Sequence, residues 1–174
     1  MRILSSLCLS ILFFLSLPGT AMGFTVIIYT DRTEWENALA GQYLTEDFND
    51  QLLNDGVTYT ASESGHINVY FGYYQDVLMS SSQNAPSTIW TFVPQIIAYG
   101  GTWTLGGPGG SGNSLYLYID GNEHPVAVIT NSYNDDFLGI IADAPFTSVT
   151  LMGGTGSNQQ SYKLDDMVYS PVDY

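Results

Sequence analysis

The stretch SLYLYIDGNEHPVAVIT, residues 114–130, decides the fold class. Ser114 to Ile119 and Val126 to Thr130 are short runs of strand-forming residues. Asp120-Gly121-Asn122 between them is the strongest hairpin signal in the chain, because Asp, Gly and Asn tolerate the positive φ that a tight hairpin turn requires. Working outward, the same pattern recurs at Tyr43 to Phe48, Val57 to Thr60, His66 to Phe71, Gln75 to Met79, Thr88 to Phe92, Ile96 to Trp103, Phe137 to Ile141, Phe146 to Met152 and Tyr162 to Tyr169, with turn residues in almost every gap. Phe24 to Tyr29 is a further β-branched run. One helix interrupts the series: Asp31 caps it, Glu34 answers three residues later, Trp35 and Leu39 form its buried side, and it ends near Ala40-Gly41. Many short strands and one early helix predict an all-β, jelly-roll-like antiparallel β-sandwich, with a closed barrel as the structural alternative. No internal repeat or domain linker is present, and the polar stretch Ser80 to Ser87 reads as a loop, so residues 24–174 form a single domain.

Residues 1–23 read as an address. Arg2 supplies a short positive region, Ile3 through Leu17 is an apolar run containing Cys8, and Ala21-Met22-Gly23 suits cleavage before Phe24, with cleavage after Ala21 as an alternative. This predicts a secretory signal peptide and a secreted, periplasmic or extracellular location. Nothing after residue 24 is apolar for long enough to span a membrane as a helix. Removal of the segment takes away the single cysteine, so sheet packing or a bound metal must supply what disulfides supply in other exported domains. It also leaves 17 acids against two bases, Arg32 and Lys163. Nucleic-acid binding is excluded on that balance, since phosphate neutralisation requires clustered Lys and Arg.

Catalytic chemistry is poorly provided for. His66 opens an apolar strand and His124 lies beside the hairpin turn next to Pro125; both read as structural histidines. Ser111, in Gly109-Gly110-Ser111-Gly112-Asn113, lacks the final glycine and the strand-to-helix setting of a nucleophile elbow. The glycine-rich run Gly106 to Gly112 is followed by no lysine and no helix, which makes it a turning loop rather than a phosphate cradle. Carboxylates are abundant, and strand parity singles out two of them. Glu46 shares a face with Leu44 and Phe48, and Asp166 shares one with Leu164 and Val168, so both are expected to point toward the apolar side. Buried carboxylates require partners and bases are scarce, so Glu46 and Asp166, helped by Asp47 or Asp165, form a candidate structural calcium site joining an early strand to the last one; carboxylates bonded to backbone N–H groups are the alternative. Aromatic residues are the candidate recognition surface. Tyr70, Tyr73, Tyr74 and Trp90 are expected to stack on sugar rings, whereas Trp103, between two threonines, reads as core. The cluster from Tyr70 to Tyr74 cannot be buried whole, because consecutive strand residues face opposite sides.

Several segments together resemble a known group. They are Gly100-Gly101-Thr102-Trp103-Thr104-Leu105, the stretch Phe137 to Leu151 and the closing Tyr162-Lys163-Leu164-Asp165-Asp166-Met167-Val168-Tyr169, with Tyr29-Thr30-Asp31-Arg32, Trp35 and Thr45-Glu46-Asp47-Phe48 earlier in the chain. The chain resembles exported bacterial proteins that often carry PEP-CTERM sorting signals. The resemblance implies a jelly-roll sandwich akin to carbohydrate-binding modules and implies no reaction. The chain departs from the group in closing at Ser170-Pro171-Val172-Asp173-Tyr174, without the Pro-Glu-Pro motif, membrane helix and basic tail, which favours a soluble exported protein. The resulting expectation is a non-catalytic binding module for carbohydrate or exopolysaccharide. Its rivals are an adhesive surface protein making protein contacts and a glycan-active enzyme, the latter requiring two carboxylates about 5 to 9.5 Å apart across a cleft.

Overall fold

Two strands of 20 residues each, β6 (Ser87–Gly106) and β9 (Asn134–Gly153), form the antiparallel spine of the protein. The structure is a computed structural model that describes residues 25–62, 64–78, 87–106, 114–153 and 160–173. The expected signal segment 1–23, residues 107–112 of the glycine-rich run and residues 80–86 of the polar stretch lie outside the described residues. Each spine strand joins two runs that the sequence separates. The joins carry Pro94 in β6 and Pro145 in β9, and proline has no N–H to give to a ladder. The β6–β9 register shifts there, between Thr91 and Ile96 and again between Ile96 and Ala98, so each strand is divided into two halves.

The halves belong to two layers. One layer holds β3 (Val57–Ala61), residues 87–91 of β6, residues 148–153 of β9, β7 (Leu115–Ile119) and β8 (Ala127–Ile129). The other runs β4 (His66–Asn68), β5 (Tyr73–Leu78), β10 (Gln160–Pro171), residues 98–106 of β6 and residues 134–141 of β9. β1 (Val26–Tyr29) lies against β9, and β2 (Leu44–Glu46) against β10. Every pairing is antiparallel, and the expected all-β sandwich with one short helix is the observed architecture. The hairpin read at residues 114–130 joins β7 to β8. Asp120 and Gly121 have φ of 44° and 69°, and Asn122 N donates to Ile119 O at 3.0 Å.

Between the layers, alternate residues build one aromatic-rich core. Trp90 from the first layer and Tyr59 at its edge meet Tyr74 from the second, with ring centroids 4.9 and 5.0 Å from that of Tyr74. Leu115, Leu117, Val149 and Leu151 face Trp103, Leu138, Tyr162 and Leu164, all buried. Fully burying one such large apolar side chain contributes about 1.5–3 kcal/mol.

Helix α1 (Arg32–Ala38) covers part of the outer face of the second layer. Its cap forms as the sequence predicts, Asp31 Oδ1 accepting from Glu34 N at 2.9 Å, and the turn after it enters the left-handed region at Ala40 and Gly41. Trp35 is fully buried against Ala98, Phe137 and Val168, and its Nε1 donates to Ile140 O at 3.2 Å. The cross-strand pair Gly100 and Gly139 makes the seat, since a Cβ on Gly139 would lie 2.8 Å from the indole. Among the described residues, no helix covers the rest of that outer face.

Candidate functional site

The antiparallel register aligns outward-facing side chains of the second layer in rows. One row is His66, Gln75, Lys163 and Thr104, taken in order from β4, β5, β10 and β6. The next row, Val77, Ser161 and Gly106, ends on a residue without a side chain. Together with Ser64 these groups line a hollow of about 300 Å³. His66 Nδ1 lies 2.8 Å from Ser64 O, which only accepts, so Nδ1 carries the hydrogen and Nε2 accepts from Gln75 Nε2 at 2.9 Å. The Lys163 ammonium stands 4.8 Å from the centroid of the Tyr73 ring, a cation–π contact.

An aromatic ledge borders the hollow at the turn between β4 and β5. Asn68 O accepts from Phe71 N at 3.1 Å and Gly72 N at 2.9 Å, and Gly72 takes a φ of 71°. This tight turn holds Tyr70 and Phe71 out into solvent, 85% and 61% exposed. The Phe71 ring lies parallel to that of Tyr73, within 5° at 5.8 Å, and Tyr70 meets Phe71 edge-on at 4.7 Å.

Of the four aromatic residues expected to bind a ligand, the structure brings Tyr70 and Tyr73 to this ledge and takes the other two away. Tyr74 and Trp90 are fully buried and pack against each other in the core. Strand alternation is the reason: Tyr73 faces outward beside Asp165, so Tyr74, paired with Leu164 and Ile67, faces inward. Phe71, absent from the expected ligand set, joins the ledge instead: the strand expected from His66 to Phe71 ends at Asn68, which leaves Phe71 in the turn.

The four carboxylates expected at calcium do not converge. Glu46 is buried as strand parity required, but its Oε1 accepts from Phe48 N at 3.1 Å and its Oε2 from Asn54 N at 2.7 Å, which closes the loop after β2. Asp47 is exposed and takes Asn49 N at 3.1 Å, and that backbone bond holds its carboxyl below the usual range. Asp166 does not follow the parity of its strand. It sits at a β-bulge with φ of 45°, where the register shifts between Asp165 and Val168, and its Oδ2 pairs with Arg32 at 2.8 Å. The bulge turns Asp166 away from the core and delivers Met167 to it. Asp165 is half-buried, and burial, then the nearby Asp166 and Asp135 charges, push its carboxyl up. Among the described residues no group of three or more His, Cys, Asp or Glu gathers at a point that would hold a metal.

A buried polar chain went unread in the sequence. Asp76, 1% exposed in the wall of the hollow, accepts from Thr88 Oγ1 at 2.6 Å, from Val77 N at 2.7 Å and from Ser64 Oγ at 3.4 Å. Tyr162 Oη donates to Thr88 Oγ1 at 2.6 Å. Parity with Tyr74 on β5 was the available signal.

No protein-family model matches the chain, and no curated protein sequence does. Among solved structures, a mutant of a carbohydrate binding module family 29 is similar in fold, with a TM-score of 0.49 and 12% identity, covering 73% of this chain and 89% of that one.

Proposed function

We propose that the protein is an exported, non-catalytic module that binds carbohydrate on the open outer face of its second layer. The observation that carries this reading is the pair of solvent-exposed rings, Tyr70 and Phe71, held by a tight turn beside a hollow lined with hydrogen-bonding side chains. A sugar presents an apolar face and a rim of hydroxyls, and it matches an aromatic ledge next to amide, hydroxyl and imidazole groups. Asp76, the carboxylate buried in the wall of the hollow, has its oxygens engaged by Val77 N and Thr88 Oγ1, so it serves the frame rather than a reaction. Export rests on the character of residues 1–23.

A glycan array tests the reading. The protein without residues 1–23 binds a subset of glycans, and the Tyr70→Ala/Phe71→Ala double variant weakens that binding at least about tenfold, on the scale of losing a central contact residue. Val128→Ser, on β8 in the other layer, leaves it unchanged. Silence across the array from a folded protein sinks the reading and favours an adhesive role through protein contacts.

A further inference from the structure

We infer that the hollow takes an acidic sugar, one carrying a carboxylate or a sulfate, which the Lys163 ammonium recognises; this rests on the carbohydrate-binding reading above. The whole chain holds 17 acids and 3 bases. Two of those bases are among the described residues, and they are used differently. Arg32 is committed to the frame, with Glu36 at 2.9 Å and Asp166 at 2.8 Å. Lys163 is exposed and makes no ion pair among the described residues; its cross-strand neighbours, Gln75 and Thr104, are neutral. The Tyr73 ring holds the ammonium at the boundary between ledge and hollow, so a sugar resting on the ledge presents its substituent there.

No ion pair joins Lys163 to a nearby acid among the described residues. Asp76 lies in the wall of the hollow but is 1% exposed, and its oxygens accept from Val77 N, Thr88 Oγ1 and, at 3.4 Å, Ser64 Oγ. Asp165 shares the outer face with Lys163 two residues away; it is half-buried, and burial and the Asp166 and Asp135 charges push its carboxyl up. Asp135 is exposed at the Thr104 end of the row, where its N donates to Thr104 Oγ1 at 3.0 Å, and the acids farther off repel an anion over longer range, which salt damps beyond about 8 Å at physiological ionic strength. Gln75, Thr104 and Ser161 supply hydrogen bonds for ring hydroxyls around the charge, and about 300 Å³ is the scale of a small ligand site.

The test measures affinity for matched pairs. Oligogalacturonate and alginate oligosaccharides are set against their methyl esters, and sulfated galactan oligosaccharides against their desulfated forms. At least one acidic probe is expected to bind about tenfold tighter than its neutral counterpart, and which series does so tells carboxylate from sulfate. Lys163→Gln abolishes that preference, Lys163→Arg retains it, and unchanged thermal melting of both variants shows that the frame is intact. Neutral probes binding as tightly as acidic ones, or a preference that survives Lys163→Gln, overturns the inference. The carbohydrate-binding reading survives that failure wherever neutral glycans still bind through Tyr70 and Phe71. A folded protein that binds none of the probes and no glycan on the array overturns both.

Discussion

Thr88 stands at the centre of the buried polar chain, donating to Asp76 Oδ2 and accepting from Tyr162 Oη, each at 2.6 Å, while Tyr74 Oη lies 3.4 Å away. Replacing it with the near-isosteric valine leaves a buried carboxylate oxygen and a buried phenol without their partner, whereas the volume hardly changes. Thr88→Val is therefore expected to destabilise the protein by about 1–3 kcal/mol, with Thr88→Ser costing clearly less, as measured by urea unfolding. The same tyrosines govern the alkaline limit. Burial raises the Tyr74, Tyr99 and Tyr162 hydroxyls above the ordinary tyrosine range. The folded state thus keeps protons that the unfolded state loses above about pH 10, so this contribution is full below that pH and is lost as pH rises past it. Tyrosinate absorbance from these residues is expected to appear together with cooperative unfolding; titration inside an intact fold would contradict the burial. At this scale the sequence was legible where alternation is strict: it placed Trp103 and Glu46 inward, and it showed that the Tyr70 to Tyr74 cluster had to divide. It could not say which way the cluster divided, because the turn at Asn68 to Gly72 sets the phase of β5.

Parity fails where an element is irregular, and β10 shows why. From Gln160 to Asp165 the strand alternates, and then the bulge at Asp166 inserts a left-handed residue and reverses the phase, so Leu164 and Met167 share the core although three positions separate them. Nothing in Leu164-Asp165-Asp166-Met167 announces that shift. The carboxylates expected to share a calcium are parted by it, since Asp166 leaves the side that Glu46 occupies and bonds Arg32 instead. The melting temperature is accordingly expected to be the same in EDTA and in millimolar calcium; a calcium-dependent rise would restore a site among these carboxylates. The spine strands show the opposite error. Pro94 and Pro145 made β6 and β9 read as two strands each, but the chain continues through both prolines at the bends between layers. α1 was legible from its cap and from Trp35, though the seat beneath it was not. Gly139→Ala would drive a methyl group into the Trp35 indole, and overpacking of this kind costs about 1–3 kcal/mol. Denaturant unfolding followed by tryptophan fluorescence checks it, and an unperturbed midpoint would contradict the seating of the helix.

At the scale of the whole molecule, the helix and the open face divide one surface between them. α1 seals the outer face around Gly100 and Gly139, whereas the face over β4, β5, β10 and the second half of β6 keeps its rows of polar side chains and its exposed aromatic ledge. The strongly acidic balance, 17 acids to 3 bases, disfavours nucleic acid and anionic membrane surfaces as partners. It also makes the single unpaired lysine of the described residues conspicuous on the face proposed to bind sugar. Sugar is accordingly expected to bind on this face and on no other. Backbone amide chemical-shift mapping of the isotope-labelled protein, titrated with the oligosaccharide it binds best, tests it most directly. Shifts are expected to concentrate at His66, Tyr70 to Gln75, Thr104 and Lys163, with little change on β7 and β8. Shifts concentrated on β7 and β8, or around β1 and α1, would contradict it.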